Sequence, residues 1–267
     1  MSVQLGIIGG GIMAEAILSR LLQQKLYSAS DVLVSDPQAS RREWLRKTYG
    51  VQVTDDNQEA ANASQILLLA VKPQTLERVV AGLAGGQLKP LVISVLAGIP
   101  ISRLEFGFPD HPVIRVMPNT PATVGAGITA IAAGKLVDIH HMDLAKSIFA
   151  AVGQVVEIPE SLMDAVTGLS GSGPAYVAMI IEGLADGGVA SGLPRAIAYQ
   201  LALQTVLGTA QLLKETGIHP AELKDQVTSP GGTTIMGVAT LEKMGVRSAM
   251  IEAVRAAYRR SQEFGKK

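Results

Sequence analysis

A chain of 267 residues, 48% hydrophobic and 17% charged, carries enough apolar material for one large core or two ordinary ones. Its 23 basic and 23 acidic side chains cancel, which speaks against nucleic acid or an anionic membrane as a general partner. With no cysteine, disulfides, thiolate chemistry and cysteine-ligated metals are excluded.

In chain order, short apolar runs at residues 3–8, 32–35, 66–71, 91–95 and 113–117 read as strands. Amphipathic stretches at 14–24, 40–49, 74–83 and 138–152 read as helices, and 128–132 and 154–158 as further edge strands. This alternation predicts an α/β fold with a largely parallel, doubly wound sheet. After Pro159 the strand pattern stops, and 175–190, 194–216, 220–227, 234–244 and 248–264 read as helices. The expected division is therefore a Rossmann-type dinucleotide-binding domain at 1–160 and an all-α domain at 161–267. The 194–216 helix carries Ile197, Tyr199, Leu201, Leu203, Val206, Leu207, Leu212 and Leu213 on more than one face. So much apolar surface on one helix of a small domain, in a chain poor in charge, predicts burial against a second subunit. No apolar run approaches the roughly 18 residues of a spanning helix, and no signal peptide is evident. A cytoplasmic location is expected.

The first strand leads directly into Gly9-Gly10-Gly11-Ile12-Met13-Ala14, followed by a helical pattern. This is the G-x-G-x-x-A dinucleotide fingerprint in its strand–turn–helix setting. Gly9 permits the tight turn, Gly11 lets the backbone approach a pyrophosphate, and Ala14 keeps the helix near the sheet. Helix-start N–H groups hold the phosphates. The second strand ends at Asp36, where an acid binds the ribose 2′-hydroxyl of NAD(H). Arg41 and Arg42 follow, as receivers of an NADP(H) 2′-phosphate or as a solvated first helical turn. Both cofactors, NADPH and NADH, stay open.

Other motifs are more specific. Ala70-Val71-Lys72-Pro73, the run VTGLSGSGPAY at 166–176 and Ser229-Pro230-Gly231-Gly232-Thr233-Thr234-Ile235 resemble the signatures of the pyrroline-5-carboxylate reductase family. Met117-Pro118-Asn119-Thr120-Pro121 and Leu193-Pro194-Arg195 resemble the same family, nearly end to end and in order. The resemblance implies reduction of 1-pyrroline-5-carboxylate to L-proline by NADPH or NADH. It also implies a Rossmann domain, a helical dimerisation domain, and dimers often assembled into larger rings. By the same resemblance Ile8, Gly9, Gly10, Gly11, Ile12, Met13, Asp36, Asn57, Ala70, Val71, Lys72, Pro73, Ala97 and Glu160 bind the dinucleotide. Ser229, Gly231, Gly232, Thr233 and Thr234 would bind the substrate. Asp36 stands where the family frequently has a small or amide residue, and Gly217 where some relatives carry an acid near the substrate.

The residues at 229–234 support this reading in their own right. Pro230-Gly231-Gly232 breaks the preceding helix and frees N–H groups at the next helix start, a natural carboxylate site. Thr234 is the candidate catalytic residue, offering its hydroxyl to the ring nitrogen. The plainer alternative is that Ser229 or Thr233 only caps a helix. Hydride transfer to a C=N bond asks the protein for alignment rather than a catalytic Lys or His.

Rival readings have less behind them. A β-hydroxyacid dehydrogenase needs a helix lysine soon after a Gly-rich segment, but no lysine lies between Lys146 and Lys214. A G-x-S-x-G hydrolase elbow fails at Ser172, which stands where glycine is required after Ser170. Gly171-Ser172-Gly173-Pro174 reads instead as a break and cap. His140 and His141 lack companion ligands, so no metal is expected. Lys72, before a proline, reads as a backbone-positioning residue. A noncatalytic dinucleotide-binding regulator has no use for the 229–234 loop.

Overall fold

The strands read as unbroken apolar runs because both faces of the sheet are covered. The computed structural model describes residues 3–62, 65–83 and 89–265. The first half contains strands β1 (Leu5–Ile8), β2 (Val32–Ser35), β3 (Gln52–Thr54), β4 (Ile66–Leu69), β5 (Leu91–Ser94), β6 (Val113–Met117), β7 (Gly127–Ala133) and β8 (Gly153–Glu157). Between them lie helices α1 (Ile12–Gln23), α2 (Ala39–Tyr49), α3 (Asn57–Asn62), α4 (Leu76–Ala81), α5 (Ile101–Gly107) and α6 (Ile139–Ala150).

The strands form one sheet in the order β3-β2-β1-β4-β5-β6-β7-β8. All pairs are parallel except β6 with β7. The doubly wound α/β expectation holds, including the two strands added at one side of the sheet, 127–133 and, at the edge itself, 153–157. Leu5, Ile7, Val34 and Leu68 face a core with Ile17 and Leu21 of α1, Leu45 of α2 and Phe149 of α6. Their neighbours Ile8, Leu33, Leu67 and Leu69 face the other way, against Ala60 of α3, Leu76 and Val79 of α4 and Leu104 of α5. Each fully buried Leu or Ile contributes about 1.5–3 kcal/mol, so a strand between two helical layers draws that term from successive residues.

Sequence order reverses at β1, which has β2 on one side and β4 on the other. The crevice beyond the carboxyl ends of these strands is where open α/β sheets bind ligands. Three elements of the first half went unread in the sequence. These are β3, a three-residue edge strand, and the short helices α3 and α5. None is long enough to show a hydrophobic period.

After β8 come α7 (Met163–Val166), a π-helical turn at Thr167–Gly171, α8 (Gly173–Ala190), α9 (Arg195–Thr216), α10 (Pro220–Gln226), α11 (Thr233–Lys243) and α12 (Val246–Gly265). The expected break before Pro174 is a wide π turn running into α8, and Ser170 donates its hydroxyl to the Val166 carbonyl there. Gly217, at φ +67°, closes α9 in the left-handed conformation, a place where an acid would be strained.

By compactness the chain divides into two units. One holds the sheet, the residues up to Ser172 and those from Ala256 onward; the other is Gly173–Arg255. The first unit contains an ion network around a buried arginine. Arg115, on β6, is 5% exposed and pairs with Glu160 at 3.2 Å and Asp164 at 3.5 Å. Asp164 also accepts from the Ser261 hydroxyl of α12 at 2.8 Å, and Glu160 from the Ile101 N–H. In the second unit α8 packs along α9, where Gly188 lets the Ala198 methyl approach. Only Ala198 and Ala202 of α9 are buried, whereas Leu201 is 53% and Leu207 56% exposed. Among the described residues no helix is long and apolar enough to cross a membrane.

Candidate functional site

The turn after β1 is shaped by two different uses of glycine. Gly9 sits at φ +96°, and a Cβ there would lie 2.7 Å from the Ala70 carbonyl oxygen. Only glycine fits, because the Gly9 N–H bonds the Ser35 carbonyl while the Ala70 N–H bonds Ile8. Gly11 is different: its backbone is extended, and a Cβ would meet nothing within 4 Å. Gly11 is also the N-cap of α1, with no side chain capping the helix. The open space and the uncapped N–H groups together form a cradle for an anion at a helix N-terminus.

A cleft of about 650 Å³ opens over this turn. It is lined by Ile8, Gly9, Gly10, Gly11, Asp36, Asn57, Ala70, Val71 and Lys72, all anticipated from the sequence. Its volume is that of a site for a sizeable organic ligand. The residues present fit a dinucleotide, with bare backbone at Gly11 and a carboxylate at the end of β2. Asp36 accepts from the Gly10 N–H and the Gln38 N–H, each at 2.9 Å. Asn57 accepts from the buried Ser35 hydroxyl at 2.7 Å. The Lys72 carbonyl takes both the N–H and the hydroxyl of Thr75, so its backbone shapes the start of the segment after β4.

Five expected cofactor residues do not line this cleft. Ile12 is 75% exposed on α1, Met13 packs against the sheet core, and Pro73 opens the 3₁₀ turn before α4. Ala97 lies in the loop beyond β5, and Glu160 is held by Ile101 and Arg115. The sequence reading missed Pro37, Gln38, Asp55, Thr75, Arg78 and Val79, all of which line the cleft. Asp55 follows the unread strand β3. Thr75, Arg78 and Val79 share one helical face by their i, i+3, i+4 spacing, a signal available in the sequence.

The 229–234 segment belongs to the second unit. Gly231 takes φ +66°, Gly232 is the N-cap of α11, and no side chain caps that helix. Capping by Ser229 or Thr233 is therefore not the use made of this loop. Instead the first N–H groups of an 11-residue helix are offered beside Ser229, Thr233 and the half-buried Thr234. His141 takes part in a local cap, its N–H donating to Asp138 at the start of α6.

A family model described as pyrroline-5-carboxylate reductase dimerisation matches residues 160–264. A second, described as NADP oxidoreductase coenzyme F420-dependent, matches 4–98. A pyrroline-5-carboxylate reductase of Synechocystis sp. is 70% identical over 267 residues, covering all of both chains. This chain belongs to the pyrroline-5-carboxylate reductase family. The reductase structure from Coxiella burnetii superposes with a TM-score of 0.89 at 34% identity, covering all of both chains. The Plasmodium falciparum reductase, solved with NADP bound, gives 0.89 at 32% identity over 98% of each. Both the sheet domain and the helical half are thus those of the reductase family.

Proposed function

We propose that this protein reduces 1-pyrroline-5-carboxylate to L-proline with NAD(P)H, the last step of proline biosynthesis. The observation that carries this is full-length identity of 70% to a chain named for that reaction. A bound NAD(P)H would supply a hydride to the carbon of the protonated C=N bond, whose electron pair moves to nitrogen to give the ring amine. Gly11 and the uncapped start of α1 hold the pyrophosphate, and Asp36 and Asn57 orient the adenosine end. The N–H groups of α11, reached past Gly231 and Gly232, hold the substrate carboxylate. Thr234 would present its hydroxyl to the ring nitrogen and fix the plane of the imine.

On this reading residues 1–160 act as the dinucleotide-binding domain and 161–267 as the substrate-binding and dimerisation domain. The match of the dimerisation model to 160–264 supports that functional boundary. Thr234→Ala is expected to lower kcat/KM for the imine about tenfold or more, since it removes a hydrogen bond at the reacting centre. Dinucleotide affinity should stay constant, and Thr234→Ser should keep most of the activity. An alanine variant with parental kcat/KM would remove Thr234 from the site.

The exposed leucines of α9 support a homodimer in which that apolar surface is covered; assembly of such dimers into a ring and a cytoplasmic location belong to the same proposal. Sedimentation of the full chain is expected to give a dimer or a multiple of it, and Leu207→Glu to shift it toward monomer. A full-length chain that sediments as an active monomer would overturn the assembly.

A further inference from the structure

The two arginines beside the adenosine end of the cleft are both already committed. Arg41 lines the cleft, yet its guanidinium donates to the Gly10 carbonyl and pairs with Glu15 of α1. Its far face covers the Trp44 ring at 4.5 Å. Glu15 is fixed in turn by the Tyr49 hydroxyl, which donates to it at 3.1 Å. Burial and that carboxylate push the Tyr49 phenol above its ordinary pKa, so it stays a donor. Arg42 donates to the carbonyls of Asp36 and Pro37 and pairs with Asp55 at 3.1 Å. The corner after β2 therefore presents the carboxylates of Asp36 and Asp55, with both nearby cations turned to protein partners. Lys72 and Arg78 also line the cleft, but they follow β4, on the opposite side of β1.

We infer that this reductase is set for NADH over NADPH, with Glu15 as the positioning residue that withholds Arg41 from a 2′-phosphate. This rests on the reading of the cleft as a nicotinamide dinucleotide site. A 2′-phosphate brought beside Asp36 meets like charge, and the cation that would offset it is spent on Glu15. A ribose 2′-hydroxyl, in contrast, finds an acceptor in Asp36. The glycines of the fingerprint do not distinguish the two; the choice is made by the Asp36 carboxylate together with where the Arg41 guanidinium is held.

Direct binding tests this without turnover. The native enzyme is titrated calorimetrically with NADH and NADPH, then with AMP and adenosine 2′,5′-bisphosphate. NADH is expected to bind about tenfold tighter than NADPH, a difference of about 1.4 kcal/mol. Glu15→Gln should raise affinity for adenosine 2′,5′-bisphosphate several-fold, roughly half a decade or more, and leave AMP affinity unchanged. Adding Arg41→Ala to Glu15→Gln should cancel the gain, and Asp36→Ser should raise NADPH affinity by itself. If Glu15→Gln alters AMP and the bisphosphate equally, or neither, the role of Glu15 is overturned. Tighter binding of NADPH by the native enzyme overturns the preference alone. Failure to bind either dinucleotide would instead overturn the reading of the cleft, and the preference with it.

Discussion

Gly11→Val is expected to abolish tight dinucleotide binding while the protein remains folded. The two effects separate because the Gly11 backbone is already extended and a Cβ there meets no protein atom. The valine side chain instead occupies the cradle over the start of α1, displacing the pyrophosphate from the N–H groups that hold it. A loss of about 100-fold in affinity, or about 2.8 kcal/mol, is the expected scale. Cofactor titration alongside circular dichroism and thermal melting measures both halves of the claim. Gly9→Ala is the contrasting case. It puts a methyl 2.7 Å from the Ala70 carbonyl oxygen at φ +96° and is expected to cost stability before affinity. Unchanged cofactor affinity in Gly11→Val would place the pyrophosphate elsewhere.

The second large effect concerns Arg115. Glu160→Ala with Asp164→Ala leaves a guanidinium buried in β6 with neither of its carboxylates. Breaking a buried pair from one side typically costs about 3–5 kcal/mol, because the remaining charge is left without compensation. For a protein of this size that corresponds to a fall in Tm of roughly 10 °C. Differential scanning of the double variant checks it, and a fall of only a degree or two would mean that water reaches Arg115. The same network bears on where the chain can be cut. A chain ending at Pro159 would lose Glu160, Asp164, the buried Met163 and the Ser261 contact of α12 at once. It is expected to lose the stability of the sheet unit itself, so its failure to dimerise would not report on the interface. A cut made to test dimerisation must therefore leave Met163, Asp164 and the last turns of α12 in place.

How legible the site was varied with how local its cause is. The β1 turn was readable because strand, glycines and helix start are contiguous, and the physics of a φ of +96° or an uncapped helix acts within a few residues. Asp36 was readable for the same reason, as the residue ending the next strand. Asp55 was not, since β3 is too short to show a period and is held in place by pairing with β2. The family resemblance implies Glu160 as a cofactor contact; its bonds to Arg115 and Ile101, 45 and 59 residues away, come only with the folded chain.

From the sequence alone came the α/β class, the dinucleotide turn, the helical second half and the family, because periodicity and motif order are properties of contiguous residues. The tertiary structure alone decided which faces of the strands meet which helices, and that the sheet unit recruits Met163–Val166 and the end of α12. It also decided that Arg41 and Arg42 are occupied rather than free. A charged side chain of several rotatable bonds has no direction until its partners are placed. Glu15, on α1, reaches Arg41 and Tyr49 of α2 only when the two helices pack side by side on the sheet.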